Sequence, residues 1–230
     1  MMQRLDKVLS EAKVASRKEL KALIRSGAVA VDGVVVRAAD QKVPEDAVIT
    51  VHGEVVAKMR RVLIALYKPA GYITATEDRV QATVMDLIPE EYRKLDVAPV
   101  GRLDKATEGL LLLTNDGELA HKLISPKYAV QKVYYAEHEG EATQADVFEF
   151  EKGLVLGDGT ECLPAKLEPL GPGKSRITIC EGKYHQVRRM FASRGMPVTY
   201  LSRLSEGPVT LEGMSLGEMT EIDCDIFDFD

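Results

Sequence analysis

Residues 101–117 read GRLDKATEGLLLLTNDG, and this stretch decides how the rest of the chain is read. It sets one carboxylate, Asp104, in a Gly-flanked turn ahead of an apolar run from Leu110 to Leu113. The run predicts a buried strand, and a buried strand positions a residue in the preceding loop more rigidly than a long surface loop does. Asp104 is therefore a candidate for chemistry.

Around this stretch lies a chain of 230 residues, enough for one large domain or for a small and a medium one. Apolar and charged residues stand in ordinary globular proportion, 45% and 29%. No apolar run approaches the ~20 residues that span a bilayer, and the N-terminal MMQRLDKVLSEAK has no h-region of a secretory signal. Cys162, Cys180 and Cys224 are widely spaced, without a C-x-x-C pair, which favours a reducing cytoplasm over a disulfide framework or zinc site. The four histidines show no metal-ligand spacing, and no P-loop, G-x-G-x-x-G or G-x-S-x-G pattern occurs. Neither a metal nor a cofactor is expected.

The net charge of −6 is unevenly spread. Residues 1–60 hold 11 basic and 8 acidic side chains, residues 61–205 hold 19 and 20, and residues 206–230 hold 8 acids and no base. Overall acidity therefore does not exclude a polyanionic partner for the basic first segment.

That segment reads as a unit of its own. Leu5, Val8, Leu9 and Ala12 share one face of a helix over residues 3–13. Ser16 caps a second helix through Arg25, with Glu19 at the capping-box position and Gly27 as its end. VAVDGVVV (29–36) predicts a hairpin turning on Asp32-Gly33, and VITV (48–51) one more strand. EVVAKMRR (54–61) is expected to link it to a second domain, giving boundaries of 1–59 and 60–230.

In the second domain, strands are expected at VLIALY (62–67), KVYYAEHEG (132–140), LVL, LPAKLEPL, RITIC, VTYLSRL and PVTLEG. Short helices are expected at TVMDLIP, after Asp116, at TQADVFEFEKG (143–153) and at HQVRRMFASRG (185–195). Strands outnumber helices and connections are short, which predicts an α+β fold on a mixed, largely antiparallel sheet.

Composition and spacing alone name no reaction. Four ordered segments, however, resemble the rRNA pseudouridine synthases that carry an N-terminal S4 domain: YKPAG (67–71), GRLDKATEGLLLLTNDG, KVYYA (132–136) and EGKYHQVRRM (181–190). RLDK (4–7), SRKE (16–19), the Gly27 helix exit and the VDG hairpin resemble the S4 (α-L) RNA-binding domain itself. Singly, most of these pieces read as ordinary turns, core aromatics or solvated helix faces; it is their order that carries the resemblance.

The resemblance implies Asp104 as nucleophile, Tyr134 as the aromatic that stacks on the target base and assists proton removal at C5, and Arg188 as the counter-charge that keeps a buried Asp104 ionised. It implies phosphate contacts from Arg4, Lys7, Arg17, Lys18, Lys21 and Arg25 in the S4 domain. Beside the pocket, Lys183, Arg189 and Arg194 would hold neighbouring phosphates, and Arg102 would position the catalytic turn or touch RNA. The target uridine would have to be flipped out of its stack. Within the family, ISPKYAVQKVYYA (124–136) is most similar to the branch acting on 16S rRNA of the small ribosomal subunit. The implied partner is then 16S rRNA or a 30S assembly intermediate, met by a cytoplasmic monomer with no membrane attachment. A 23S rRNA target and a non-catalytic assembly factor are the competing expectations.

Overall fold

A computed structural model describes residues 2–44, 46–57 and 60–229, with the side chain of Arg17 outside the described residues. The chain divides into two compact units, Met1–Arg60 and Arg61–Asp230.

In the first unit, strand β1 (Met2–Arg4) runs straight into helix α1 (Leu5–Glu11), followed by α2 (Arg17–Ser26). The expected helix therefore starts later: residues 2–4 pair antiparallel with β4 (Lys42–Pro44), placing Gln3 opposite Val43. Helix α2 has the expected capping box, Ser16 with Glu19, and ends at Gly27 in the left-handed conformation. Strands β2 (Val29–Val31) and β3 (Val34–Val35) turn on Asp32 and Gly33, both at positive φ, as a two-residue hairpin requires. His52 and Gly53 repeat that turn between β5 (Ile49–Val51) and β6 (Glu54–Val55), so residues 54–55 belong to a sheet ordered β3-β2-β5-β6. Lys58 and Met59 of the expected linker lie outside the described residues. Leu5, Leu9, Leu20, Ile24, Val29, Val43 and Ile49 close a small core.

The second unit is an α+β domain on one large sheet. Its strands are β7 (Leu63–Lys68), β8 (Ala98–Pro99), β9 (Glu108–Thr114), β10 (Lys132–His138), β11 (Lys166–Gly171), β12 (Lys174–Ile179), β13 (Val198–Glu206), β14 (Val209–Thr210) and β15 (Met219–Ile222). The helices are α3 (Glu90–Arg93), α4 (Gly117–Ile124), α5 (Gln144–Lys152) and α6 (Gln186–Ser193). Their order in the sheet is β11-β12-β10-β13-β9-β7-β15, with β8 on β9 and β14 on β13. Among the described strands every pairing in this sheet is antiparallel except β9 with β13.

Both faces of the central strands are covered, which explains the unbroken leucine run. Leu110 and Leu112 pack with Leu119, Leu123 and Phe227 on one side, and Leu111 and Leu113 with the cluster holding Phe150, Met190 and Phe191 on the other. The parallel crossing at β9 demands Gly109. Its φ is +113°, and a Cβ there would lie 2.3 Å from the Arg203 backbone nitrogen and oxygen. LVL (154–156) forms no strand, only the bridge Val155 to Glu161. The acidic C-terminal segment is partly structural: β15 pairs with β7, Glu221 accepts a hydrogen bond from Tyr92, and Asp225 ion-pairs with Arg61.

Candidate active site

Asp104 sits in the loop between β8 and β9, and that loop is tied down through its backbone. Thr74 Oγ1 donates to Leu103 O at 2.7 Å while accepting from Leu103 N at 3.1 Å. Gly71 N donates to Lys105 O, and Thr107 N to Asp104 O. Lys68, fully buried at the end of β7, donates from Nζ to Thr107 O (2.8 Å), Pro69 O (3.0 Å) and Asp104 O (3.3 Å). Burial pulls the Lys68 pKa down to about 8, against the opposing pull of the Glu108 and Asp104 carboxylates. The K-P-A-G segment thus does more than stop a strand: its lysine clamps the loop that carries Asp104.

The Asp104 side chain itself is 33% exposed, on the wall of a cleft of about 440 Å³ that also presents Arg102, Tyr134, His185, Arg188 and Arg203. A carboxylate this open keeps part of its hydration, so the deep burial expected of it is absent.

Tyr134, 7% exposed, reaches the cleft by the regular alternation of β10, whose buried side carries Lys132, Tyr134, Ala136 and His138. The bulge lies on β13: Val133 faces Ser205 and Tyr134 faces Arg203, which leaves Leu204 as the extra residue and sets Arg203 opposite the tyrosine. Burial pushes its phenol pKa up, and the charges of Glu206 and Asp104 add to this while Arg203, hydrogen-bonded to it, opposes. Behind the tyrosine lies a buried charge network that sequence reasoning missed. Arg203 Nε donates to Leu110 O at 2.6 Å, and its Nη2 lies 3.2 Å from Glu206 Oε2. Glu206 Oε1 is 3.4 Å from Lys132 Nζ, which also donates to Leu123 O and Val130 O at 3.3 Å each. Glu206, tallied with the acidic C-terminal segment, is therefore an internal counter-ion for two buried cations. Lys132 of the Lys-x-Tyr pair is its partner.

The opposite wall is built by EGKYHQVRRM. Glu181 Oε1 accepts from Leu163 N (2.8 Å) and Gln186 Nε2 (2.7 Å), and Gln186 Oε1 accepts from Lys183 N (2.9 Å). These bonds fold residues 181–186 into a rigid turn before α6. His185 takes the left-handed conformation, φ +47°, and sets Nε2 3.3 Å from Asp104 Oδ1. Tyr184 stacks on the imidazole at 3.9 Å.

Two expectations change here. His185, not Arg188, stands nearest Asp104; Arg188 lines the cleft but donates from Nη1 to Val198 O at 3.1 Å. The reason is local, because α6 carries Arg188 toward the start of β13 while the left-handed residue ahead of the helix swings its ring over the loop. Arg189 and Arg194 lie outside the cleft lining, paired with Asp158 (2.5 Å) and Asp146 (2.8 Å). Lys183 borders the cleft, engaged by Glu181 and by Glu161 O. Arg102 lines it exposed, with no ion pair among the described residues.

Of the first-unit cations, Arg4 pairs with Asp6 at 2.7 Å and Lys7 with Glu11 at 3.8 Å. Lys18, Lys21 and Arg25 are exposed at helical spacing along one face of α2, with no ion pair among the described residues.

The second unit thus sets a carboxylate loop beside the parallel crossing of a large mixed sheet, and the first unit carries a basic helix face. Residues 62–193 match the RNA pseudouridylate synthase family and residues 3–49 the S4 domain family. The chain is 42% identical over 225 residues to an uncharacterised RNA pseudouridine synthase of Bacillus subtilis strain 168, covering 95% of this chain and 94% of the relative. It is 40% identical over 214 residues to ribosomal small subunit pseudouridine synthase A of Vibrio parahaemolyticus, covering 91% of each. It is 38% identical over 231 residues to ribosomal large subunit pseudouridine synthase B of Bacillus subtilis, covering 96% and 92%. The chain belongs to the RNA pseudouridylate synthase family, as an S4-bearing member, and is an isomerase of that class.

Proposed function

We propose that this enzyme converts one uridine of 16S rRNA to pseudouridine, with Asp104 as nucleophile. The observation that carries the reading is the clamped loop presenting Asp104 to a cleft that Tyr134 also lines. The reaction breaks the C1′–N1 bond, turns the uracil and joins C1′ to C5; C5 gives up its proton to solvent and N1 takes one up, so product and substrate are isomers. A carboxylate suits this, since it can attack and later depart, and a held loop keeps it aligned with a base flipped from the RNA stack.

Tyr134 offers its ring to the base. Burial keeps its phenol protonated at neutral pH, which favours stacking and hydrogen bonding over service as a standing phenolate. Arg188 adds positive charge to the same cleft, and Arg102 and Lys183 at its rim meet the phosphates beside the flipped nucleotide. Arg4, Lys7, Arg17, Lys18, Lys21 and Arg25 supply contacts to more distant phosphates. The enzyme works as a cytoplasmic monomer on 16S rRNA or a 30S precursor.

The small-subunit target rests on Ser125-Pro126-Lys127 ahead of the Lys-x-Tyr pair. The two named ribosomal relatives, at 40% and 38% identity, do not separate the branches. Incubating the enzyme with unmodified 16S and 23S rRNA, then mapping carbodiimide-resistant stops, tests this. A new stop in 16S rRNA alone is expected. A stop in 23S rRNA alone overturns the target and leaves the enzyme class intact.

A further inference from the structure

Tyr184 is 70% exposed. One face of the ring lies on His185, 3.9 Å between centroids and 16° from parallel. His185 in turn reaches Asp104, Nε2 to Oδ1 at 3.3 Å. The three side chains therefore form a column that starts at the proposed nucleophile and ends on an open aromatic face at the mouth of the cleft. The column is held from below: Glu181 and Gln186 lock the turn that carries it, and the left-handed backbone at His185 fixes the direction of the imidazole. Arg102, exposed on the cleft lining, adds positive charge.

We propose that the open face of Tyr184 is a stacking platform for a nucleobase next to the target uridine, a subsite separate from the one that receives the flipped base. This inference rests on the RNA-modifying reading above. A flipped nucleotide leaves its neighbours with an unstacked face, and an aromatic side chain at the pocket mouth replaces that lost stacking. Stacking of this kind tolerates any base, so Tyr184 contributes affinity and hold on the splayed strand rather than sequence choice. His185 serves as the second layer of the stack, backing the Tyr184 ring.

The chain has no tryptophan, so Tyr184→Trp creates a single fluorescent reporter at the proposed platform. The probe is an RNA fragment spanning the uridine that the wild-type enzyme converts, with and without an abasic ribose at each flanking position. Strong quenching by the intact fragment, lost when one flanking base is removed, is expected. Tyr184→Leu, which keeps a cover over His185 but cannot stack, should raise KM roughly 10-fold or more with kcat little changed, and Tyr184→Phe should restore it. Equal quenching by intact and abasic fragments overturns the platform. So does a Tyr184→Leu defect confined to kcat, which would mean that the ring only shields the His185–Asp104 contact. If the wild-type enzyme converts no uridine at all, the functional reading fails first and the platform with it.

Discussion

In the first unit Lys18, Lys21 and Arg25 stand exposed along α2, whereas in the second Lys68, Lys132 and Arg203 are at most 7% exposed and each is committed to oxygens at hydrogen-bond or ion-pair distance. The exposed set keeps its hydration and is screened by salt, so it suits contacts that form and break along a phosphate backbone. The buried set has lost its hydration and is tolerated only because carbonyls and Glu206 replace the water. The two sets thus suit different work, the exposed one contact with phosphates and the buried one geometry. Substitutions should separate them cleanly.

Glu206→Ala should have the largest effect. It strands Arg203 and Lys132 in the interior without their carboxylate, and losing one partner of a buried pair costs about 3–5 kcal/mol. Thermal unfolding should show the loss, and Lys132→Met in the same chain should recover part of it. An unchanged melting temperature would mean that Glu206 is not the counter-ion these distances indicate.

Lys68 gives the next effect. Its folded pKa of about 8 lies below its ordinary 10.5, so the folded protein releases this proton first as pH rises. Between those two values the group makes folding more favourable with increasing pH. The neutral amine, however, has two N–H groups for three carbonyls, and the Asp104 loop loosens. Activity should therefore fall above about pH 8 while this group's contribution to stability rises. Lys68→Met should lower kcat on the order of 10²-fold and abolish that alkaline limb. A limb that survives in the variant belongs to another group.

The exposed set should give the smallest structural effect. Replacing Lys18, Lys21 and Arg25 with Gln should change stability by less than about 0.5 kcal/mol each. The slope of log affinity against log salt should flatten by about 0.7 for each lost contact with single-stranded RNA. An unaltered slope would remove this face from the RNA interface.

How much of this was legible in the sequence follows from the range of the interactions. The α2 capping box, the Asp32-Gly33 hairpin and the leucine strand are local patterns, and each formed where its residues indicated. Strand β1 escaped because Met2–Arg4 carries no strand signal of its own and exists by pairing with β4 some 40 residues on. In the sequence Arg203 is one residue of the strand VTYLSRL and Glu206 one of the C-terminal acids; only Lys132, on a neighbouring strand far away in sequence, makes them an interior network. Asp104, Tyr134 and Arg188 were found through their motifs and do line one cleft. His185 lies inside EGKYHQVRRM without a signal of its own, since nothing in HQVRRM announces a left-handed backbone that turns the ring toward Asp104.

The central claim is that the clamped carboxylate of Asp104 performs the chemistry. It is tested most directly by release of tritium from rRNA labelled at uridine C5, comparing wild type with Asp104→Asn under matched RNA binding. The asparagine should bind RNA with near wild-type affinity and release no tritium above background. Release at the wild-type rate would contradict Asp104 as the nucleophile, whereas full rescue of cell growth by a variant that releases no tritium would point to a binding role.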